Sequence, residues 1–309
     1  MQPEVKPHAI NQGKGTSRGL PGRANYYRCP RRGNPNVSHP KESSVQTEPA
    51  EARHLQVGTL KLEVHSTRAA AGAAAARAVA REMNELASRL EVIAVIFATG
   101  ASQFDVLAAL TSRKDLPWDR VCGFHMDEYL GIDRKHKASF RRYLEERLTG
   151  KTNMAEFWEV DGNAADPEQT CREYAERLRL ANPQLCLLGI GENGHLAFND
   201  PAVADFNDPL DVKIVHLDDD CRRQQAAEGW FKELRDVPES AITLTIPTLF
   251  RVPKLIVSVP GPRKAEIMRR TLTEPISTNC PATILRTHPD ATVYLDSESA
   301  ALLSGLGAL

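Results

Sequence analysis

Leu185-Cys186-Leu187-Leu188 runs straight into Gly189-Ile190-Gly191-Glu192-Asn193-Gly194-His195-Leu196-Ala197-Phe198-Asn199-Asp200-Pro201. Four apolar residues ahead of a glycine read as a short strand buried on both faces. The three glycines then let the backbone turn tightly. That turn brings an imidazole within reach of an amide and a carboxylate, so a neighbour holds its tautomer. A second acidic loop, His125-Met126-Asp127-Glu128-Tyr129, follows the apolar run Val121-Cys122-Gly123-Phe124. Two strand ends with carboxylates and one histidine place proton-transfer chemistry at the carboxyl edge of a parallel sheet.

Outward from these loops, strand-like and helix-like segments alternate from about Leu55. The pattern predicts an alanine-rich helix over 69–90, a buried strand over 92–97 and a short helix over 102–112. Helices follow over 139–148 and 167–180, the latter opened by Pro167. A strand over 212–217 precedes a polar helix from Asp219 to about Leu234. The chain then predicts a strand over 254–259, a helix over 263–272 and a last strand over 292–295. Near-continuous apolar strands separated by helices define an α/β fold with a largely parallel sheet. One such domain over 54–309 is the simplest account.

The chain has 309 residues, 41% of them hydrophobic, enough for a sizeable core. No apolar stretch approaches the ~20 residues of a membrane helix, so no membrane role is expected. A net charge of −1 gives no global attraction for nucleic acid. Residues 1–53 differ: they are rich in Pro, Gly, Asn, Ser and Arg and lack a hydrophobic period, which reads as a disordered basic extension. Up to Lys41 its only acid is Glu4, against eight lysines and arginines. The 6 cysteines are scattered without a C-x-x-C pair, as expected of idle thiols in a reducing cytoplasm.

Four loops are candidates for chemistry. Ala98-Thr99-Gly100-Ala101-Ser102 joins a strand to a helix, either as an anion cradle or as an ordinary connection with Ser102 as N-cap. Without a Walker lysine it is not a nucleotide triphosphate site. In the Asp127-Glu128 pair, alternation from Phe124 and Met126 turns Asp127 inward and Glu128 the other way. Burial beside a second carboxylate would make Asp127 a general base. Gly189-x-Gly191-x-x-Gly194 matches the dinucleotide fingerprint literally, but Pro201 and Pro209 follow instead of a helix, so the glycines serve close backbone approach. The fourth loop, Pro260-Gly261-Pro262-Arg263-Lys264-Ala265, puts cations at a helix start. The macrodipole disfavours them there unless an anion binds. Together the loops point to a phosphorylated small molecule.

These segments resemble the glucosamine-6-phosphate deaminase/isomerase family, within the wider 6-phosphogluconolactonase-like group. The resemblance spans about Leu55 to Leu303 and includes Met126-Asp127-Glu128-Tyr129-Leu130-Gly131, the Gly189–Pro201 loop, Ala241-Ile242-Thr243-Leu244 and Arg263-Lys264-Ala265. It implies a Rossmann-like, largely parallel sheet with helices on both faces. It also implies a step of amino-sugar catabolism, conversion of an amino-sugar phosphate to fructose 6-phosphate and ammonia without metal or organic cofactor. On this resemblance His195 opens the pyranose ring, Asp127 moves the C2 proton, and Asp200 with Asn193 orients the histidine. Thr99, Gly100, Ala101, Ser102, Gly194 and Lys264 match substrate-binding positions. A phosphorylated amino sugar is the expected partner, and a homo-oligomer is allowed.

The family usually has Asp where this chain has Asn193, and Glu where it has Asp200. An amide accepts a hydrogen bond from imidazole but does not stabilise imidazolium as a carboxylate does, a difference of about 1–2 kcal/mol. A helical arginine that holds phosphate in typical members falls near Gly229-Trp230, with Arg222, Arg223 and Arg263 as candidate replacements. Two other readings stay open on the same residues: a sugar-phosphate lactone hydrolase, which would use His195 and not Asp127, and a sugar-phosphate sensor without catalysis.

Overall fold

The computed structural model describes residues 52–227 and 229–304. The extension expected over 1–53 falls outside them except for its last two positions, and Arg53 already opens the first strand. A hairpin of β1 (Arg53–Val57) and β2 (Leu60–His65) leads into α1 (Arg68–Arg89), which Thr67 caps through a bond from the Ala70 N–H. Next come β3 (Ile93–Phe97), α2 (Phe104–Thr111), β4 (Val121–His125), β5 (Asp127–Tyr129) and α3 (Phe140–Arg147). They are followed by β6 (Glu156–Trp158), α4 (Pro167–Ala181), β7 (Leu185–Leu188), β8 (Val212–His216) and α5 (Asp219–Ala227). The chain closes with β9 (Ser240–Leu244), α6 (Ile246–Phe250), β10 (Lys254–Ser258), α7 (Ala265–Thr273) and β11 (Ala291–Asp296). No helix among the described residues is long and apolar enough to cross a membrane.

Eight strands form one sheet in the order β1-β2-β11-β10-β7-β3-β4-β6, parallel throughout apart from the β1–β2 hairpin. Both faces are covered, and the alternation within each strand decides which residue goes where. Ile93, Val95, Phe97, Leu185, Leu187 and Ile256 pack under α1, α2 and α3. Their neighbours Ala94, Ile96, Cys186, Leu188, Leu255 and Val257 pack against α4, α6 and α7. From β3 the chain winds outward through β4 to β6, then returns to the other side of β3 with β7. The crevice of a doubly wound sheet opens at such a reversal, beyond the carboxyl ends of the strands.

Two sequence expectations are corrected. The strand at 212–217 joins a separate antiparallel sheet, β5-β9-β8, and not the main one. The polar helix expected to reach Leu234 ends at Ala227, because Gly229 takes φ +82, a left-handed turn that stops helical bonding. The small sheet folds against α3 and α5 around its own apolar cluster of Tyr129, Phe140, Phe198, Phe231 and Cys221.

α1 and α2 approach closely at Gly72, where a Cβ would lie 2.4 Å from the Cβ of Asp105 and 3.2 Å from its carbonyl carbon. Alanine normally gains ~1 kcal/mol over glycine inside a helix. Here overpacking reverses the sign, and Gly72→Ala is expected to cost about 1–3 kcal/mol in a urea unfolding titration. A stabilised variant would refute the close packing.

Candidate active site

The carboxyl ends of β3, β4, β7 and β10 open onto one cavity of about 230 Å³. Thr99, Gly100, Ala101, Ser102, Asp127, His195 and Lys264 all line it, from four loops far apart in the chain. Asn193 and Asp200 stand behind His195. Gly194 does not line the cavity: a Cβ there would meet Cys280 Sγ at 2.9 Å, and its carbonyl accepts from the Ala282 N–H at 2.9 Å. With φ +91 it shapes the loop, which is a correction to its expected contact with substrate.

Two of the loops share one backbone design. After β3, Gly100 takes φ +88 and ψ 170, and a 3₁₀ turn Ala101–Gln103 leads into α2. After β10, Gly261 takes φ +94 and ψ 159, and a 3₁₀ turn Pro262–Lys264 leads into α7. Nothing lies within 4 Å of a Cβ at either glycine. The Gly100 and Ala101 carbonyls are tied away by the Tyr143 hydroxyl (2.9 Å) and by Arg68. The paired turns bring the starts of α2 and α7 to one cavity, a polar end suited to an anion.

β5 fixes the acidic pair. Antiparallel pairing with β9 (Asp127 opposite Thr243) sets its register, so successive side chains face opposite ways. Glu128, fully buried, points to α3. It accepts from the Ser139 hydroxyl (2.8 Å), the Phe140 and Arg141 N–H groups (both 3.1 Å) and Arg141 Nε (3.3 Å). Burial raises its carboxyl, and those donors hold back part of the rise. Asp127 turns into the cavity wall, only 6% exposed, and among the described residues its Oδ1 has no hydrogen-bond partner. Burial first, and then the neighbouring Glu128 charge, push its carboxyl well above the usual aspartate range. His125 is not a second base: fully buried, it accepts from the Val160 N–H, and burial drives its pKa down to about 3.

His195 is oriented from behind. Its Nδ1 lies 2.9 Å from Asp200 Oδ1 and 2.8 Å from Asn193 Oδ1, while Asn193 Nδ2 donates to Asp200 Oδ1 at 2.9 Å. Nδ1 therefore carries a proton, and Nε2 is the basic nitrogen turned toward Gly191, where any Cβ would sit 2.2 Å from it. Asp200 is fully buried. Burial alone would raise its carboxyl, but hydrogen bonding to His195 and Asn193 outweighs this and holds it below the ordinary value. The Cys221 thiol rests against the same carboxylate, and burial with the Asp200 charge keeps it protonated. Donor atoms of His195, Asp200 and Cys221 lie within 4.8 Å of one another, the one grouping among the described residues with metal-ligand chemistry. Their mutual bonds already occupy His195 Nδ1 and one Asp200 oxygen.

Of the three arginines named as replacements at the phosphate end, only Arg263 lines the cavity, with its Nε 3.3 Å from Glu192. Arg222 bonds the Leu234 and Val237 carbonyls, and Arg223 lies on the far side of the Asn193 loop. Arg68, Gln224 and Gln225 also line the cavity and were not read from the sequence. Arg68 starts a helix remote from every candidate loop and reaches in through Asp105 (2.6 Å). Its spacing carried no signal.

The family model for glucosamine-6-phosphate isomerases/6-phosphogluconolactonase matches residues 66–294. A glucosamine-6-phosphate deaminase of Exiguobacterium sibiricum is 35% identical over 223 residues, covering 71% of this chain and 85% of that protein. One from Bacillus cereus is 36% identical over 208 residues, 67% of this chain and 77% of the relative. Among solved structures, a monomeric glucosamine-6-phosphate deaminase superposes with a TM-score of 0.72 at 28% identity, over 78% of this chain and 99% of its own. The 6-phosphogluconolactonase of Thermotoga maritima shares the fold, with a TM-score of 0.63 at 20% identity over 76% and 98% of the two chains.

An aspartate whose carboxyl is raised on folding destabilises the native state whenever it is ionised. Asp127→Asn should therefore stabilise the protein at neutral pH, by about 1 kcal/mol or more. The gain should fade as pH falls through the raised folded value toward that of an unfolded aspartate. Denaturant unfolding of both proteins across pH checks this. A variant less stable than the parent at pH 7 would contradict it.

Proposed function

The chain belongs to the glucosamine-6-phosphate isomerase/6-phosphogluconolactonase family, and within it we propose that it converts glucosamine 6-phosphate to fructose 6-phosphate and ammonia. One observation carries this reading. A buried carboxylate with a bare oxygen, Asp127, shares a cavity with the basic nitrogen of an oriented histidine and with two glycine turns suited to phosphate. A lactone hydrolase would need an activated water and has no use for such a carboxylate.

In this reading the Gly100 and Gly261 turns hold the phosphate together with Thr99, Ser102 and Lys264. His195 Nε2 moves a proton between the C1 hydroxyl and the ring oxygen, opening the pyranose to an aldehyde. That carbonyl acidifies C2. Asp127 takes the C2 proton, and the electron pair spreads to the C1 oxygen as an enediol-type intermediate, an enolamine here. The same proton returns at C1 while one amine proton passes to the C1 oxygen, leaving a C1 hydroxyl and an imine at C2. Water hydrolyses the imine to the ketone and ammonia. Asn193 and Asp200 keep Nδ1 protonated and the ring in place, with Asp200 balancing imidazolium charge. No cofactor is required, since the substrate supplies its own electron sink.

Purified protein should release ammonia and fructose 6-phosphate from glucosamine 6-phosphate. Silence with every hexosamine 6-phosphate tested would remove the proposal. Asp127→Asn should lower kcat by about 10²–10⁴-fold and abolish C2–H exchange in deuterated water. His195→Gln should keep measurable exchange on ring-opened sugar, and equal losses in both variants on that substrate would contradict the division of roles. Gly191→Ala, which pushes a methyl into the imidazole, is expected to cost about 10²-fold in turnover. An unchanged rate would show that the ring does not act from this position. Because the ionised form of Asp127 is the base, kcat/KM should fall with decreasing pH through a value above the ordinary aspartate range.

A further inference from the structure

Gln225 sits on α5 in the cavity wall, 7% exposed, beside the rings of Phe140 and Phe198. Its Oε1 accepts a hydrogen bond from the Tyr129 hydroxyl at 2.8 Å. Tyr129 and Asp127 are two residues apart on β5 and share one face of it, so this bond anchors the amide on the reacting side of the cavity. One helical turn earlier on α5, Cys221 rests against Asp200, which places the same helix face along the His195–Asp200 pair. The amide is therefore held beside the atoms that transfer protons, while Lys264 and Arg263 belong to the glycine turns at the anion end. With Oε1 occupied, Nε2 is the end of the amide left for the cavity. It makes no hydrogen bond to any described residue. An amide N–H₂ on a cavity wall, fixed through its own oxygen and left without a protein partner, is placed to donate to a ligand atom there.

The chemistry names that atom. When Asp127 removes the C2 proton, negative charge collects on the C1 oxygen. A fixed donor there stabilises the transition state more than the ground state. A cation at that place would also stabilise the Asp127 carboxylate and weaken it as a base. A neutral amide polarises the oxygen without that penalty. Resting on the proposed deaminase reaction, we propose that Gln225 is a catalytic residue, its Nε2 donating to the C1 oxygen of the open-chain sugar as the enediol-type intermediate forms. Tyr129 is then a positioning residue, acting only through the amide oxygen it holds.

Two substitutions separate the donor from the scaffold. Gln225→Glu keeps an acceptor for Tyr129 and removes the N–H donors, whereas Gln225→Met keeps the length and apolar packing alone. Ammonia release, C2–H exchange and calorimetric affinity for glucitol 6-phosphate, which lacks the reacting carbonyl, are measured on the full-length protein. Both variants should lose about 10²-fold in kcat and in exchange. KM and glucitol 6-phosphate affinity should stay within roughly threefold of the parent. A kcat near the parent value in either variant would overturn the assignment, as would a loss carried by KM and analogue affinity. Full activity of the Glu variant beside an inactive Met variant would overturn it too, by assigning the effect to the Tyr129 bond. A parent protein that releases no ammonia rejects the deaminase reading itself, and an active parent with active variants rejects only the role of Gln225.

Discussion

A carboxylate stripped of water and left with one bare oxygen is the constraint around which the rest of this structure is arranged. Ionising such a group is costly, and a fold tolerates it only where neighbouring structure compels it. The compulsion here is the pleat of a three-residue strand. β5 is clamped to β9, and the Leu244 N–H bonds the Met126 carbonyl at 2.9 Å, so Asp127 and Tyr129 have no freedom to exchange faces with Glu128. Glu128 meanwhile receives the N–H groups at the start of α3 and the side chain of Arg141, which in turn bonds the Ile132 carbonyl. Two adjacent acids thus have opposite fates. One is consumed by hydrogen bonds that hold a helix, and the other is left reactive.

Around that carboxylate the parallel sheet supplies the remaining parts at its carboxyl edge. Strands β3 and β10 end in matching glycine turns, and β7 ends in the loop that carries His195. The replacement of a second carboxylate by Asn193 is accommodated without loss of order, since its amide accepts from the His195 ring and backbone and donates to Asp200. Asp200 alone carries the negative charge facing Nδ1. One amide and one carboxylate hold the ring, which gives imidazolium less electrostatic support than two carboxylates would. In the proposed reaction this suits a histidine that passes a proton along during ring opening rather than staying charged.

Much of this was legible in the sequence, and the reasons are local. Ile93–Phe97 and Leu185–Leu188 are apolar at every position, which only a strand covered on both faces requires. The loop after Leu188 carried its histidine, amide and acid within a few residues of one another. The second sheet was not legible. β5 has three residues, too few for a period, and β8 looks like any other apolar strand until its antiparallel partner is known. The end of α5 was overestimated because helix propensity continues past Ala227, while the left-handed Gly229 turn stops it. Arg68, Gln224 and Gln225 escaped notice for a different reason. They reach the cavity through tertiary packing of helices whose own sequences look like solvent-facing or structural surface, and Gly194 packs against Cys280 and Ala282, distant segments that its own loop does not announce.

The central claim, that burial keeps Asp127 reactive, is tested most directly by its own titration. Carboxyl-carbon NMR of the ligand-free protein, with the signal assigned by its disappearance in Asp127→Asn, should show this group titrating well above a free aspartate. The Asp200 signal should titrate below one. An Asp127 signal that titrates at or below the ordinary aspartate value would contradict the account.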